Sequence, residues 1–175
     1  MRHKNINHVV HEWLDELIHS NDIIVDATCG QGYDTLFCLH KGAHVIGFDI
    51  QKEAIFKTKQ MCAHFPNLQL INDSHAHLNR YLTHFNGIIF NLGYLPTSDK
   101  TIITTAESTL LAFENALECL PQHGWMVVSF YRGHEGGEEE AQLGIQWMNE
   151  HLHILKTYTY EGVNRAPIAM LGIKR

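Results

Sequence analysis

The segment DATCGQGYDT at residues 26–35 is the first place where side-chain types and spacing could bind a charged ligand. Gly30 and Gly32 let the backbone turn tightly and approach a ligand closely. Asp26 and Asp34 place negative charge beside that approach. A pyrophosphate would be repelled there, whereas a sulfonium or an α-amino group would be attracted. The segment therefore favours S-adenosylmethionine (SAM) over NAD as the ligand.

The spacing of the glycines also separates these two ligands. The NAD fingerprint is G-x-G-x-x-G, which places the phosphates on the amides of a helix N-terminus. In this chain the third glycine position holds Thr35. The alternative for the whole segment is a structural one, a tight turn from a strand into a helix with acidic capping.

Two further acidic residues stand where a nucleoside could contact them. Asp49 ends an apolar run and can accept hydrogen bonds from both ribose hydroxyls, as an acid at that place does in NAD and SAM sites alike. Asp73 follows another apolar run and is placed to meet an adenine amino group, although an acidic residue after a strand is common. Together they indicate a nucleoside without choosing between the two cofactors.

These polar segments follow a regular alternation of amphipathic and apolar stretches. Apolar side chains at helical spacing predict a first helix at about residues 5–19. Five buried strands separated by helices are predicted, followed by two more strands; the seven sequences are IIVDA, AHVIGFD, LQLIN, GIIFN, WMVVSFY, HILKTYTY and PIAMLGIKR. Such alternation indicates right-handed βαβ units. We predict a doubly wound α/β fold with a seven-stranded, mainly parallel sheet and one antiparallel strand, because the last two strands form a hairpin.

Length and composition fit one globular domain over residues 1–175. No apolar run reaches the ~20 residues of a membrane span, and the N-terminus lacks the apolar stretch of a signal peptide. We therefore predict a cytoplasmic protein. The four cysteines and 14 histidines lack metal-ligand spacing, so no metal site is predicted.

The formal net charge of −6 argues mildly against nucleic acid as a partner, because cationic contacts with phosphate drive that binding. A local basic patch could still bind it. The residues that could supply one are Arg2, Lys4, Lys52, Lys57, Lys59, Arg132 and Arg165.

Four motifs together resemble the YtqB-like family of Firmicutes methyltransferases, whose members were long labelled rRNA methylases. The motifs are DATCGQGYDT, GFDIQ, NLGYLP-x-x-DK and Y-x-GH-x-GG-x-x-E, and the last two are the more specific. The resemblance covers nearly the whole chain and implies a class I methyltransferase fold with SAM as cofactor. For the tRNA-modifying members of the family, it implies conversion of 5-aminomethyluridine, or its 2-thio form, to 5-methylaminomethyluridine at the tRNA wobble position.

Carried over by position, the resemblance assigns the acids and glycines of the first three strand ends to the cofactor, whereas the loops at 92–104 and 132–137 are expected to contact the substrate because of their place after strands. The expected cofactor-binding residues are Asp26, Thr28, Gly30, Gly32, Asp34, Thr35, Asp49, Ile50, Asp73 and Asn91. The expected substrate-binding residues are Tyr94, Asp99, Lys100, Arg132 and His134. The expected partner is the anticodon arm of a tRNA, which needs a concentrated basic surface that a homodimer could extend. The candidates for that surface are Arg2, Lys4, Lys100 and Arg132.

Asn91 and His134 are the expected catalytic residues. Asn91 falls where many amine methyltransferases have the Asn or Asp of an NPPY-type motif, although Leu92-Gly93-Tyr94 follows it in this chain. Its side-chain oxygen and the Leu92 carbonyl are expected to accept hydrogen bonds from the amine and aim its lone pair. His134 or water is expected to take the proton after transfer.

Other classes of function stay open at this point. A methyltransferase acting on rRNA, a protein or a small molecule would share the cofactor site and differ in the loops at 92–104 and 132–137. A SAM- or nucleotide-binding module without catalysis would keep Asp49 and would have no need of Asn91. An NAD enzyme fits least, because of the acidic residues and the missing third glycine.

Overall fold

The computed structural model describes residues 2–93 and 105–175. The helices are α1 (Ile6–Leu17), α2 (Tyr33–His40), α3 (Lys52–Met61), α4 (Ala106–Cys119) and α5 (Gly137–His151), with a short 3₁₀ helix at His75–Arg80. The strands are β1 (Ile23–Asp26), β2 (His44–Phe48), β3 (Leu68–Ile71), β4 (Gly87–Leu92), β5 (Trp125–Phe130), β6 (Leu152–Thr159) and β7 (Ile168–Lys174). Each predicted element is present, with ends that differ by a few residues.

The strands form a seven-stranded sheet in the order β3-β2-β1-β4-β5-β7-β6. Neighbours from β3 to β5 pair in parallel, whereas β7 runs antiparallel to both β5 and β6. The chain begins in the middle at β1, moves out to β3 and returns to β4 on the other side of β1. This reversal opens a crevice at the carboxyl ends of β1 and β4, where doubly wound sheets bind ligands. The predicted doubly wound sheet with one antiparallel strand is confirmed.

Two apolar layers hold the sheet between its helices. On one side Phe90 of β4 packs edge-on against Phe113 of α4, with ring centroids 4.9 Å apart, and Trp147 of α5 extends the same cluster. On the other side Trp13 and Leu14 of α1 belong to a second cluster with α2 and the opposite face of the central strands. The central strands are therefore buried on both faces, which fixes the positions of their ends.

The start of the first helix, α1, is anchored at the carboxyl edge of the sheet. The Asn5 side chain caps it by accepting a hydrogen bond from the Asn7 amide. The Ile6 amide donates to the Tyr160 hydroxyl at 3.0 Å, which ties the start of the helix to the end of β6. The helix ends at Leu17, earlier than predicted, because Ile18 is already extended. These contacts place the first two turns of α1 beside the crevice.

No helix within residues 2–93 and 105–175 is long and apolar enough to cross a bilayer. In the same two ranges, no group of three or more His, Cys, Asp or Glu side chains could hold a metal ion. The four cysteines are buried free thiols, and burial raises the pKa of the Cys29 thiol well above its ordinary value. These thiols therefore pack as small apolar side chains.

Candidate active site

A cavity of about 1160 Å³ lies at the carboxyl ends of the central strands, where the strand order reverses. The predicted site residues that line it are Thr28, Gly30, Asp34, Asp49, Ile50, Asp73, Asn91, Arg132 and His134. They are far apart in the chain, and the sheet brings them together because the ends of parallel strands meet at one edge. Tyr94, Asp99 and Lys100 lie outside the described residues.

Three residues predicted to bind the cofactor, Asp26, Gly32 and Thr35, do not line the cavity. Asp26 is 0% exposed, and its carboxylate accepts hydrogen bonds from the Thr35 hydroxyl at 2.6 Å and the Thr28 amide at 3.3 Å. Burial, followed by the nearby Asp34 carboxylate, raises the pKa of Asp26 to about 7. Asp26 therefore connects the end of β1 to α2 through these hydrogen bonds. Of the two acids predicted to place negative charge beside the ligand, Asp34 is the one that lines the cavity.

The two glycines of the segment after β1 have different roles. Gly30 lines the cavity with a φ of 54°, and its amide donates to the Asp49 carboxylate at 3.0 Å. Gly32 has a φ of 92° at the N-terminus of α2, and a Cβ there would lie 3.1 Å from the Thr58 backbone of α3. Gly32 is thus required by the close approach of two helices, and its contact with the ligand stays a prediction.

Replacing Asp26 by Asn is expected to change how stability depends on pH. An unfolded Asp ionises near pH 3.9, whereas burial keeps the proton on Asp26 up to about pH 7 in the folded protein. The stability that this group contributes is therefore fully present below about pH 4 and is lost as the pH rises through about 7. Asn does not titrate, so Asp26→Asn should gain stability relative to wild type over that range. Urea unfolding at about pH 5 and about pH 8 measures this, and an equal difference at both values would contradict it.

Asp49, directly after β2, has a carboxylate that the protein uses only in part. Its Oδ2 accepts from the Gly30 amide at 3.0 Å, and its Oδ1 accepts from the Gln51 amide at 2.9 Å. Burial raises the pKa of Asp49, and these backbone N–H groups offset part of the rise. A carboxylate offers about four acceptor positions, so two remain for donors in the cavity. That arrangement suits the predicted contact with two ribose hydroxyls.

Asp73 lines the cavity, and three donors from its own segment hold its carboxylate. These are the Ser74 amide at 2.7 Å, the His77 Nδ1 at 2.8 Å and the Tyr81 hydroxyl at 2.7 Å. The Tyr81 hydrogen bond is the largest cause that holds the pKa of Asp73 below its ordinary value, against a smaller effect of desolvation. Asp73 is thus a fixed carboxylate at neutral pH, and its contact with an adenine amino group stays a prediction.

A hydrogen-bond network in the cavity wall joins three elements through Asp34, in the first turn of α2. The Asp34 Oδ1 lies 2.7 Å from the His11 Nε2 of α1, and its Oδ2 accepts from the Asn91 Nδ2 at the end of β4. The Asn91 backbone amide also donates to the Thr28 hydroxyl at 2.6 Å. Asn91 is therefore fixed at two points, and its side-chain oxygen is the atom left to accept from a ligand.

The Leu92 carbonyl is not placed for the role predicted for it. Leu92 is fully buried, and its carbonyl accepts from the Tyr131 backbone amide at 3.2 Å. The pairing of β4 with β5 thus continues one residue past Phe130 and uses this oxygen. Among the described residues at the end of β4, the Asn91 side chain is therefore the better placed acceptor for an amine.

Sequence reasoning missed the walls that come from α1, the 3₁₀ helix and the turn between β6 and β7. Arg165 lies in that turn and was indicated only as a candidate for a basic patch, and Tyr131 after β5 was indicated only as part of a motif. The lining residues that no pattern indicated are Asn5, Asn7, His8, His11 and His75. His75 is buried, and burial lowers its pKa to about 4, so it is neutral while its Nδ1 lies 3.1 Å from the Ala27 carbonyl. No local signal identifies these residues, because a polar side chain on an amphipathic helix looks the same whether it meets solvent or a cavity.

The loop after β5 brings Arg132 and His134 to the cavity as predicted, with constraints the sequence did not indicate. The Arg132 Nε donates to the Ala166 carbonyl at 2.8 Å, and its Nη1 lies 3.5 Å from the Glu138 Oε1. Its charge is therefore partly neutralised, which weakens the predicted contact with phosphate. A Cβ at Gly137 would lie 2.6 Å from the Tyr131 backbone carbonyl and 2.8 Å from the His134 ring, so glycine is needed at this position for the loop to pack against the start of α5.

Comparison with known families decides which family this fold belongs to. The family model described as "Putative rRNA methylase" matches residues 45–172, which is most of the chain. The chain belongs to this family. The predicted family resemblance is thereby confirmed, and the match includes the segments that carry Asp49, Asp73, Asn91 and His134.

Among characterised proteins, this methylase-family chain is similar to the chloroplastic tRNA (mnm5s2U34)-methyltransferase of Arabidopsis thaliana. The two are 32% identical over 157 residues, which are 80% of this chain and 57% of that protein. The chain thus spans little more than half the length of this relative.

Solved structures of methylase relatives superpose over the whole chain. A "putative rRNA-methylase" from Clostridium thermocellum has a TM-score of 0.91 and 29% sequence identity and covers 100% of both chains. A "putative methyltransferase" from Streptococcus mutans, solved in complex with S-adenosylhomocysteine (SAH), has a TM-score of 0.87 and 31% identity and covers 99% of this chain and 100% of that one. The predicted class I methyltransferase fold is confirmed.

The cavity has the features that SAM requires. Its volume of about 1160 Å³ is at the upper end of small-molecule sites, which are commonly ~300–1,000 Å³. Asp49 keeps acceptor positions for ribose, Gly30 permits close approach, and the Asp34 carboxylate lies where a cationic sulfonium would be favoured over a phosphate. The residues present therefore fit SAM.

Proposed function

We propose that this chain is a SAM-dependent methyltransferase that modifies the wobble uridine of tRNA. The reaction would convert 5-aminomethyluridine, or its 2-thio form, to the 5-methylaminomethyl product. The observation that carries the proposal is the Asn91 amide in the cavity wall, which donates to Asp34 and leaves its oxygen for an amine. Similarity to the chloroplastic tRNA methyltransferase supports the substrate, and the SAH complex of the Streptococcus mutans relative supports the cofactor.

SAM supplies a methyl group on a positively charged sulfur. The task of the protein is to hold the acceptor nitrogen in line with that methyl group, which is chiefly an effect of proximity and orientation. Asn91 accepts a hydrogen bond from the neutral amine and aims its lone pair. The nitrogen would gain the methyl group and the positive charge as the carbon–sulfur bond breaks and SAH leaves, and it would then release a proton to His134 or to water. A strong base is unnecessary because the proton leaves after the transfer.

Tyr131 supplies an aromatic wall next to this arrangement. Burial, followed by the Asp34 carboxylate and Tyr160, raises the pKa of Tyr131 to about 12, so its phenol stays neutral at cellular pH. Its hydroxyl donates to the Asn7 side-chain oxygen at 3.2 Å, which fixes the ring against α1. A neutral aromatic ring in the cavity wall supports binding of a flat base.

Binding of RNA by an acidic protein requires a local excess of cations. Arg165 lies in the turn between β6 and β7, is exposed and lines the cavity. By comparison, Arg132 forms an ion pair with Glu138, and Lys4 forms one with Glu12, so these two cations are partly neutralised within the protein. We therefore propose Arg165 as the main described contact with phosphate.

Three further features stay predictions. They are the homodimer, the anticodon arm as the bound part of the tRNA and the cytoplasmic location.

The purified protein is expected to transfer labelled methyl groups from SAM to tRNA that carries 5-aminomethyluridine, and not to unmodified tRNA, because the acceptor is the aminomethyl nitrogen. Binding of this tRNA should weaken steeply with added salt, since phosphate contacts release counterions. Nucleoside mass spectrometry of the product measures the site of the label. Ribosomal RNA and free small amines are assayed in parallel, and label in either of these instead of the tRNA would contradict the proposal.

Methylation of rRNA is the second candidate, and the description of the matching family favours it. It would use the same cofactor site and differ in the acceptor, which would be a nucleobase or ribose of ribosomal RNA. The parallel assay with ribosomal RNA separates the two candidates directly.

A further inference from the structure

His11 is a cavity residue of α1, a helix that lies outside the alternating strands and helices of the sheet. Its side chain is 23% exposed, and its Nε2 lies 2.7 Å from the Asp34 Oδ1. Its ring stacks on Phe37 of α2 with centroids 4.4 Å apart and an interplanar angle of 25°. The ring is therefore held both by packing and by one hydrogen bond aimed into the cavity wall.

The Asp34 carboxylate determines which way its two neighbours point. An ionised carboxylate only accepts hydrogen bonds, so both partners have to donate to it. His11 therefore carries a proton on Nε2, and Asn91 turns its NH₂ group to Asp34. Turning the Asn91 amide over would set its oxygen against the carboxylate oxygen, which is unfavourable. The Asn91 oxygen is consequently directed away from Asp34.

We propose that His11 is a positioning residue for methyl transfer: through Asp34 it holds the Asn91 amide with its oxygen towards the acceptor nitrogen. Loss of the His11 donor leaves Asp34, only 8% exposed, with one partner fewer. The carboxylate can then turn to other donors and release the Asn91 amide. The inference rests on the proposed function for its catalytic consequence, whereas the hydrogen-bond coupling is independent of the substrate.

Two variants separate the hydrogen bond from the packing. His11→Phe keeps an aromatic ring against Phe37 and removes the donor. His11→Gln removes the ring and offers an N–H donor to Asp34. His44→Phe is the matched control, because His44 is exposed at the start of β2, at the opposite end of the sheet from the cavity. SAM affinity by calorimetry, single-turnover methylation of the 5-aminomethyluridine tRNA, thermal unfolding and the NMR signals of the Asn91 side-chain NH₂ group are measured for each.

His11→Phe is expected to lower the single-turnover rate by about 10-fold, with SAM affinity within about 2-fold of wild type, because an interaction that orients the acceptor is lost. His11→Gln should recover most of that rate despite losing the ring. The Asn91 NH₂ signals should move in His11→Phe and stay unchanged in His44→Phe. A wild-type rate together with unmoved signals in His11→Phe would overturn the inference.

Equal losses in His11→Phe and His11→Gln, in step with lower melting temperatures, would also overturn the inference, because they would assign His11 to the packing of α1 alone. Failure of the proposed function is recognised separately, since wild-type protein would then leave the tRNA unlabelled. In that case the Asn91 NH₂ signals still decide whether His11 controls the amide: a shift in His11→Phe supports the coupling, and no shift refutes it.

Discussion

Asn91→Ala is expected to lower the single-turnover rate of methyl transfer by about 100-fold or more, while SAM affinity stays within about 2-fold of wild type. The reason is that Asn91 is the residue at the end of β4 whose side chain can accept from the amine, since the Leu92 carbonyl is used by the Tyr131 amide. Ala also leaves the Asp34 oxygen without its Asn91 donor, so the cavity wall loses a fixed point.

Asn149→Ala is the matched control for this prediction, because Asn149 is exposed on α5 and donates only to a carbonyl of its own helix. Thermal unfolding of both variants shows whether the fold is kept. A rate for Asn91→Ala that equals wild type would reduce Asn91 to a residue that merely ends the strand. A fall in SAM affinity as large as the fall in rate would assign it to the cofactor and not to the acceptor.

Asp49→Ala is expected to weaken SAM binding at least 10-fold, because a hydrogen bond to a charged acceptor contributes about 1.5–3 kcal/mol. The structure adds a second cause: the same carboxylate holds the Gly30 and Gln51 amides, so its removal also loosens the segment after β1. Asp49→Asn keeps the size of the side chain and should give an intermediate affinity. Calorimetric titration with SAM and with SAH measures the effect.

Asp15→Ala is the control for Asp49, since Asp15 is an exposed carboxylate on α1 that pairs with Lys41. NADH is titrated in the same series and is expected to bind poorly to the wild type. Unchanged SAM affinity in Asp49→Ala would remove this residue from the cofactor site. Tight NADH binding by the wild type would instead contradict the choice of cofactor.

The order and type of the elements could be predicted because their signals are local. The segments 23–27 and 125–131 are short apolar runs bounded by turn residues, and both are buried strands in the centre of the sheet. Strand direction followed from the helices between the strands, and the antiparallel strand followed from their absence before β7. Helix ends were less certain from sequence: α1 ends at Leu17, before the predicted end at about residue 19.

The site was predictable where a residue lies at or just beyond the carboxyl end of a strand. Asp49, Asp73 and Asn91 meet at one edge because parallel strands end there, so their place in the chain fixes their place in the cavity. The segment that joins β1 to α2 was harder, because an acid stands at each of its ends, Asp26 in β1 and Asp34 in α2. Only the packing of the folded chain buries Asp26, where it accepts a hydrogen bond from Thr35. The same packing places Asp34 in the cavity wall, where it accepts from Asn91.

The amino-acid sequence by itself determined the doubly wound α/β fold and the strand-end acids, since these depend on periodicity and on residues close together in the chain. The class I methyltransferase assignment and the family followed from the resemblance of four sequence motifs. Tertiary structure alone decided that α1 lines the cavity, that His11 forms a hydrogen bond with Asp34 and that Arg132 forms an ion pair with Glu138. Hydrogen bonds between distant segments leave no periodic trace in either segment. Their partners are chosen by how the helices pack on the sheet, and only the folded chain shows that packing.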